Sequence, residues 1–353
     1  MNSNKYNHLK MKYSIIFISN AIGGIKTFQN TLIKFLLRND TECVLFDKHN
    51  FKINKNNRLK HYKINVLGQI YYTCKMLRKI NIINKNKNSI FIFSNPVIFV
   101  MYFFYIKLFF KKNKIFFFTH SHLTKKRITL KLFNYISSIF FLFIDRVFYV
   151  SRFTKNWWEK KYFFCKYSKN SIQYNSIETF KKIKKIKSKK FRIGFVGRLG
   201  YEKGLQKFLN IASKNKDKYI FNIFSNEKLK LNNSQKKYIN FHLKKNLEEI
   251  YNKIDLLLVS SPIENCPFSV LEAKSFGIPT LVYLTKGGIM EIITNNHDGI
   301  IIKKYVNNLR LSEYIEKIKN NYNFFSLNAL SSSKNFDAKI QITKLIRNKL
   351  LNN

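Results

Sequence analysis

Short runs rich in Ile, Phe and Val recur along the first half of the chain at residues 13–19, 42–46, 90–94, 115–119 and 146–150. A second series follows at 191–196, 219–225, 256–259, 280–283 and 299–302. Each run has strand length, and most are followed by a longer stretch whose apolar positions fall at helical spacing. That alternation predicts βαβ units and a mainly parallel sheet in each half, an α/β chain. Near the end, Ile340, Ile342, Leu345, Ile346 and Leu350 lie at roughly helical spacing, which predicts a terminal helix with one buried face within residues 336–353. No repeat of solenoid period is present.

With 353 residues, 45% of them hydrophobic, the chain has the length of two domains and excludes global disorder. Between the two series lies 181–190, which holds seven lysines; a block of like charge repels itself and stays solvated. We read it as a linker between a first domain, 1–180, and a second, 191–335; a nucleic-acid or localisation patch is the alternative. The formal net charge is +46, and its ten arginines against 55 lysines, with abundant Asn, Ile, Phe and Tyr, match the coding bias of AT-rich DNA. The field is real whatever its origin, and it is uneven. Residues 1–180 carry 32 basic and 6 acidic side chains, whereas 191–353 carry 26 and 13. A basic half of this kind attracts anionic lipid headgroups or phosphorylated ligands as readily as nucleic acid. A nucleic-acid-binding protein would carry helix-turn-helix, RNP or zinc signatures, and none is found.

The four cysteines, Cys43, Cys74, Cys165 and Cys266, form no Cys-x-x-Cys pair, so a reduced, cytoplasmic protein without structural zinc is expected. The first apolar run, 13–18, is too short for a signal-peptide core. The longest apolar stretch, 90–110, approaches spanning length, but Asn95-Pro96 interrupts it and Lys107 charges it.

Candidate chemistry gathers at glycine turns. Gly23-Gly24 follows the first strand and precedes a helical pattern, a turn where backbone comes close to a ligand. It lacks the Gly-x-Gly-x-x-Gly spacing of a dinucleotide site. In the second half, Gly197-Arg198-Leu-Gly200-Tyr-Glu-Lys203-Gly204 places two cations on a loop entering a helix, suited to a diphosphate or to an ordinary basic surface. Then Ser260-Ser-Pro-Ile-Glu264-Asn-Cys-Pro-Phe-Ser-Val-Leu-Glu272 sets two carboxylates eight positions apart in a chain with 19 acidic residues. The first falls on a loop, the second in a helix begun near Pro267, with helix amides for phosphate between them. Lys286-Gly287-Gly288-Ile-Met-Glu291 and Asp298-Gly299 are expected to repeat the strand, turn and helix arrangement.

These segments resemble the family 4 glycosyltransferases of the GT-B fold. The resemblance rests on Gly-Arg-Leu…Glu-Lys-Gly, on the Glu-x₇-Glu pair within Ser-Pro…Leu-Glu-Ala…Gly-x-Pro, and on Gly-Gly-x-x-Glu-Ile-Ile. In the first half, Phe118-Thr-His120-Ser-His122, Asp145-Arg-Val-Phe-Tyr-Val-Ser151 and Ile172-Gln-Tyr-Asn175-Ser176 follow the family's pattern, with Ser176 in place of a usual Gly. The resemblance implies two Rossmann-like domains facing a central cleft and a retaining, hexosyl-type transfer from a nucleotide-sugar. It assigns Arg198 and Lys203 to the donor diphosphate, Glu272 to the ribose and Glu264 to the transferred sugar. Phe268, Ser269, Val270 and Leu271 would line the donor, Gly24 would open space for it, and His120 would face sugar and acceptor. His122 competes with His120. Ser225-Asn226 stands where the family has a Gly-rich turn, and Asn265-Cys-Pro replaces Gly-Phe-Gly.

No Asp-x-Asp occurs among the seven aspartates, so a cation clamp without metal or other cofactor is expected. Cys266 reads as a small packing residue in preference to a nucleophile. Trp157-Trp158, flanked by lysines, suits a membrane interface or an inward-packed helix equally. The expectation is therefore a peripheral enzyme on the inner face of the cell membrane. Its acceptor would be a lipid-linked oligosaccharide of lipopolysaccharide O-antigen or capsule assembly, or another saccharide. A sugar-nucleotide hydrolase or epimerase of the same fold is the alternative.

Overall fold

The computed structural model describes residues 14–20, 23–48, 57–64, 68–83, 89–110, 113–120, 128–178, 188, 190–243 and 246–346. The expected linker at 181–190, apart from residues 188 and 190, lies outside them, as does His122. The chain divides into two compact units, Met1–Tyr174 with Lys344–Asn353, and Asn175–Thr343. The division thus falls six residues before the boundary expected at 180/181, and the end of the chain joins the first unit.

In the first unit seven parallel strands form one sheet in the order β3-β2-β1-β4-β5-β6-β7. They are β1 Ser14–Ile18, β2 Cys43–Asp47, β3 Leu59–Lys63, β4 Ser89–Phe93, β5 Lys114–Thr119, β6 Arg146–Tyr149 and β7 Asn170–Ile172. Helices α1 Gly24–Arg38, α2 Ile70–Ile83, α3 Pro96–Phe109, α4 Ile128–Phe140 and α5 Arg152–Lys161 connect them. The second unit has six parallel strands in the order β10-β9-β8-β11-β12-β13. These are β8 Arg192–Val196, β9 Ile220–Ser225, β10 Ile239–Leu243, β11 Leu256–Val259, β12 Thr280–Tyr283 and β13 Gly299–Ile302. Its helices are α6 Leu205–Lys214, α7 Leu247–Tyr251, α8 Phe268–Ser275, α9 Asn308–Asn320 and α10 Tyr322–Ser333; α11 Ala338–Leu345, where a terminal helix was expected, spans the point at which the chain passes from the second unit to the first.

Every run read as a strand is one. The three strands that the hydrophobic pattern missed, β3, β7 and β10, all lie at sheet edges. β3 reads Leu-Lys-His-Tyr-Lys and is half exposed, because an edge strand has one flank and part of its faces in water. Central strands such as β4, Ser-Ile-Phe-Ile-Phe, are buried throughout, since helices cover both faces of a parallel sheet.

The apolar stretch at 90–110 resolves into β4 followed by α3. Asn95 is the cap of α3: its side chain accepts from the amides of Val97 and Ile98, and Pro96 occupies the first helical position, where no amide partner is needed. Among the described residues no helix is long and apolar enough to cross a membrane. From α3, Phe99 packs against Phe93, Phe117 and Phe141 at ring separations of 5.4, 5.1 and 5.8 Å. Trp158 is buried and Trp157 packs against the same core, so the pair is part of the fold of the first unit.

Candidate active site

In both sheets the strand order reverses beside the first strand of the unit, at β1/β4 and at β8/β11. Ligands of open parallel sheets bind outside the carboxyl ends of the strands at such a point. In the second unit, the carboxyl end of β8 leads to Gly197–Lys203 and that of β11 to Ser260–Glu264, so both motifs reach one place because β8 and β11 pair.

Gly204 closes the β8 loop with φ +71°, and a Cβ there would lie 2.1 Å from the Ser260 carbonyl oxygen; only glycine fits on both counts. Ser260 Oγ donates back to the Gly204 carbonyl at 2.9 Å. The two loops being clamped together, Lys203 Nζ donates to Glu264 Oε1 at 2.6 Å and Ser261 Oγ donates to the same oxygen at 2.8 Å. A small cavity at these strand ends is lined by Lys203, Ser260, Ser261, Glu264 and Ser269. Arg198 pairs with Glu202 at 3.2 Å, but both side chains are more than half exposed, so this contact is weak and the guanidinium stays open to solvent. The Ser225-Asn226 turn after β9 is tied to the same loop, since Glu227 Oε2 accepts from the Leu199 amide at 2.8 Å.

The backbone at Glu264 is held from a third direction. Its amide donates to the Lys286 carbonyl at 2.9 Å, and its carbonyl accepts from the Ile289 amide at 3.1 Å. Gly287, at φ +112°, permits the crossing, for a Cβ would stand 2.3 Å from the Glu264 carbonyl oxygen. The expected helix after this glycine pair is a single 3₁₀ turn, Gly288–Glu291, because the backbone there is spent on pinning Glu264.

Helix α8 begins after Pro267 without a side-chain cap. The amides of Val270 and Leu271 donate to the Pro267 carbonyl at 3.2 and 3.3 Å, and both side chains are buried. Phe268 and Ser269 are the positions whose amides precede any carbonyl they could reach within the helix. Glu272, one turn on, is buried, and Tyr251 at the end of α7 donates its hydroxyl to Glu272 Oε2 at 2.9 Å while lying 3.0 Å from the Ser269 carbonyl. Burial and the neighbouring carboxylate push Tyr251 well above its ordinary range, so it remains a donor. Nothing in the sequence around Tyr251 marks it for this contact.

Two further supports belong to the fold of the second unit. Asn175 Nδ2 donates to the Cys266 carbonyl at 2.7 Å, bracing the loop between Glu264 and α8. Below the helix, Lys274 Nζ donates to Asp298 Oδ2 at 2.9 Å, with both side chains buried. Cys266 is buried and its thiol is pushed up to about 12 by desolvation, the environment of a packing residue.

The first unit presents its own motifs at the carboxyl ends of β1 and β5. Gly23 has φ +59° with open space around it and stands at the N-terminus of α1, in which Gly24 is the first residue. His120 follows β5 and packs against Phe28 of α1 at a ring separation of 4.8 Å. Among the described residues no three His, Cys, Asp or Glu side chains gather as metal ligands would. At the carboxyl ends of β8 and β11 the positively charged or amide-donating groups are Lys203, Arg198 and the N-terminus of α8.

Residues 176–335 match the family model of the glycosyl transferases group 1. A search of curated protein sequences finds no match. Among solved structures, HepE of Anabaena in complex with UDP and glucose superposes with a TM-score of 0.72 at 12% identity, covering 97% of this chain and 100% of its own. Sucrose-phosphate synthase of Thermosynechococcus elongatus gives 0.76 at 10%, covering 96% and 98%. The lipopolysaccharide outer core galactosyltransferase WaaB gives 0.67 at 15%, covering 96% and 100%. The fold is GT-B, and the stretch that brings Lys203 onto Glu264 lies within the residues, 176–335, that match the group 1 glycosyl transferase model.

Proposed function

We propose that the chain transfers a hexosyl group from a nucleoside diphosphate sugar to an acceptor, with retention of configuration and without a metal ion. The observation that carries this reading is the Lys203–Glu264 contact at the β8/β11 switch point, with the N-terminus of α8 beside it. As the sugar–phosphate bond breaks, negative charge gathers on the departing diphosphate. Lys203, Arg198 and the first amides of α8 supply preorganised positive charge for it. Positive charge develops meanwhile on the sugar ring, and the Glu264 carboxylate, already oriented by Lys203 and Ser261, is suited to face it. Glu272, held by Tyr251, accepts from the ribose hydroxyls. His120 supplies the first unit's contact with sugar and acceptor.

For the acceptor we propose a lipid-linked oligosaccharide of bacterial surface polysaccharide, in O-antigen or capsule assembly, met at the inner face of the membrane. The excess of basic over acidic residues in 1–180 supports a phosphorylated, membrane-embedded carrier. HepE, solved with UDP and glucose, and WaaB, named for lipopolysaccharide, support the donor and acceptor classes.

The test is a thermal-stabilisation screen of nucleotide-sugars, in which a ligand at about 100 Kd adds about 2.7 kcal/mol, followed by product analysis with and without lipid-linked acceptor. Transfer only with acceptor and an unchanged anomeric configuration is expected. Release of free sugar at the same rate without acceptor establishes the hydrolase instead.

A further inference from the structure

Helix α3 carries one charged side chain, Lys107, and is otherwise apolar or aromatic around its circumference, yet only one side is buried. Ile98, Phe99, Tyr102, Phe103 and Ile106 face the core, while Phe104 is 62% and Leu108 65% exposed. The neighbouring α4 turns Leu132 and Tyr135 outward in the same way. The two helices join through Phe103, which stacks on Phe140 at 4.2 Å, with Phe104 against the edge of the same ring at 5.1 Å. Tyr135 continues the surface to Phe164 at 6.2 Å, and from there Phe163 and the exposed Tyr167 follow. One continuous apolar face therefore spans α3, α4 and the 3₁₀ turn Phe163–Tyr167. A monomeric soluble protein seldom shows so extended a patch without a partner.

Charge selects the partner. Residues 96–144 contain no acidic residue and eight lysines and arginines. Lys107 on α3, Lys131 on α4 and Lys166 beside Tyr167 are exposed among the apolar side chains. A second copy of this chain would bring equal positive charge against these lysines and be repelled. An anionic bilayer instead neutralises them while its interface takes the aromatic and leucine side chains.

We infer that the face formed by α3, α4 and Phe163–Tyr167 docks the protein on a bilayer rich in anionic lipid. The inference deepens the membrane part of the proposed function but is independent of the donor site, which lies in the second unit.

The experiment is flotation of the full chain with vesicles of phosphatidylcholine alone or with about 30% phosphatidylglycerol. Strong binding is expected only with the anionic lipid, falling as salt shortens the Debye length from about 10 Å at 0.1 M to about 3 Å at 1 M. The double variant Phe104→Ser/Leu132→Ser should bind at least tenfold more weakly. The charge-reversed Lys107→Glu/Lys131→Glu, which leaves the apolar core untouched, should lose the lipid selectivity. Phe324→Ser, at an exposed site of α10 in the second unit, should bind as the parent does. Nucleotide-sugar stabilisation should be equal in all of them, which separates failure here from failure of the proposed reaction. Unchanged binding by both double variants overturns the inference. So does a lipid-free dimer that Phe104→Ser/Leu132→Ser dissociates, which would assign the face to a second copy.

Discussion

Lys203 and Glu264 stand 61 positions apart in the chain and 2.6 Å apart in space. The parallel pairing of β8 with β11 brings them together, and Gly204 and Gly287 make room for the backbone crossings that hold them there. A cation and an anion already oriented on each other need little rearrangement when charge separates between a sugar and its leaving group.

Replacing Lys203 by Ala should reduce turnover by about 10²-fold or more, since it removes preorganised charge where leaving-group charge develops. Arg198→Ala should act in the same direction. Steady-state kinetics decide this, and near-normal turnover in both variants would exclude the clamp.

The two glutamates should separate kinetically. Glu264→Gln is expected to lower kcat, whereas Glu272→Ala should mainly raise the donor KM. Tyr251→Phe, which removes only the hydroxyl on Glu272, should follow Glu272→Ala in direction with a smaller effect. A fall in kcat at unchanged KM for Tyr251→Phe would refute its positioning role.

Activity should survive EDTA, because the proposed diphosphate partners are Lys203, Arg198 and helix amides. Full loss on chelation with recovery on adding Mg²⁺ or Mn²⁺ would require a metal in the mechanism.

The buried Lys274–Asp298 pair supports α8 from beneath. Lys274→Met or Asp298→Asn should cost about 3–5 kcal/mol, because the remaining partner is left buried and uncompensated. Urea unfolding of the second unit's transition measures it, and a loss under about 1 kcal/mol would show that the pair is dispensable.

Burial pushes the thiols of Cys43, Cys165 and Cys266 up to about 12, while the half-buried Cys74 is raised as well. In the native chain at pH 8, Cys74 should react first with a maleimide and the other three only after denaturation. The sign for stability follows from linkage. Above about pH 9 the unfolded chain releases thiol protons that the folded chain keeps, so these groups make stability fall as pH rises from about 9 toward 12. Rapid native labelling of Cys266 would contradict its packing role.

Local composition by itself determined the central strands, because a strand covered on both faces must be apolar along its whole length, as β4 and β11 are. It also put forward the candidate residues, since Arg198 and Lys203 stand at a glycine turn within 197–204 and Glu264 and Glu272 on a loop and a helix start within 260–272, two short windows of sequence. The edge strands β3, β7 and β10 escaped it, for a half-exposed strand has no need of an apolar sequence. Tyr251 escaped it too, as did the contacts of Asn175, Lys286 and Gly287, because each acts on a residue brought near only by the fold. The same holds for the inward packing of Trp157 and Trp158 and for the buried side chains of Val270 and Leu271. Strand order is decided by parallel pairing between distant segments and by the burial that pairing creates, which no local window encodes. The sequence therefore put forward the candidate groups, and the tertiary structure decided what holds them in place.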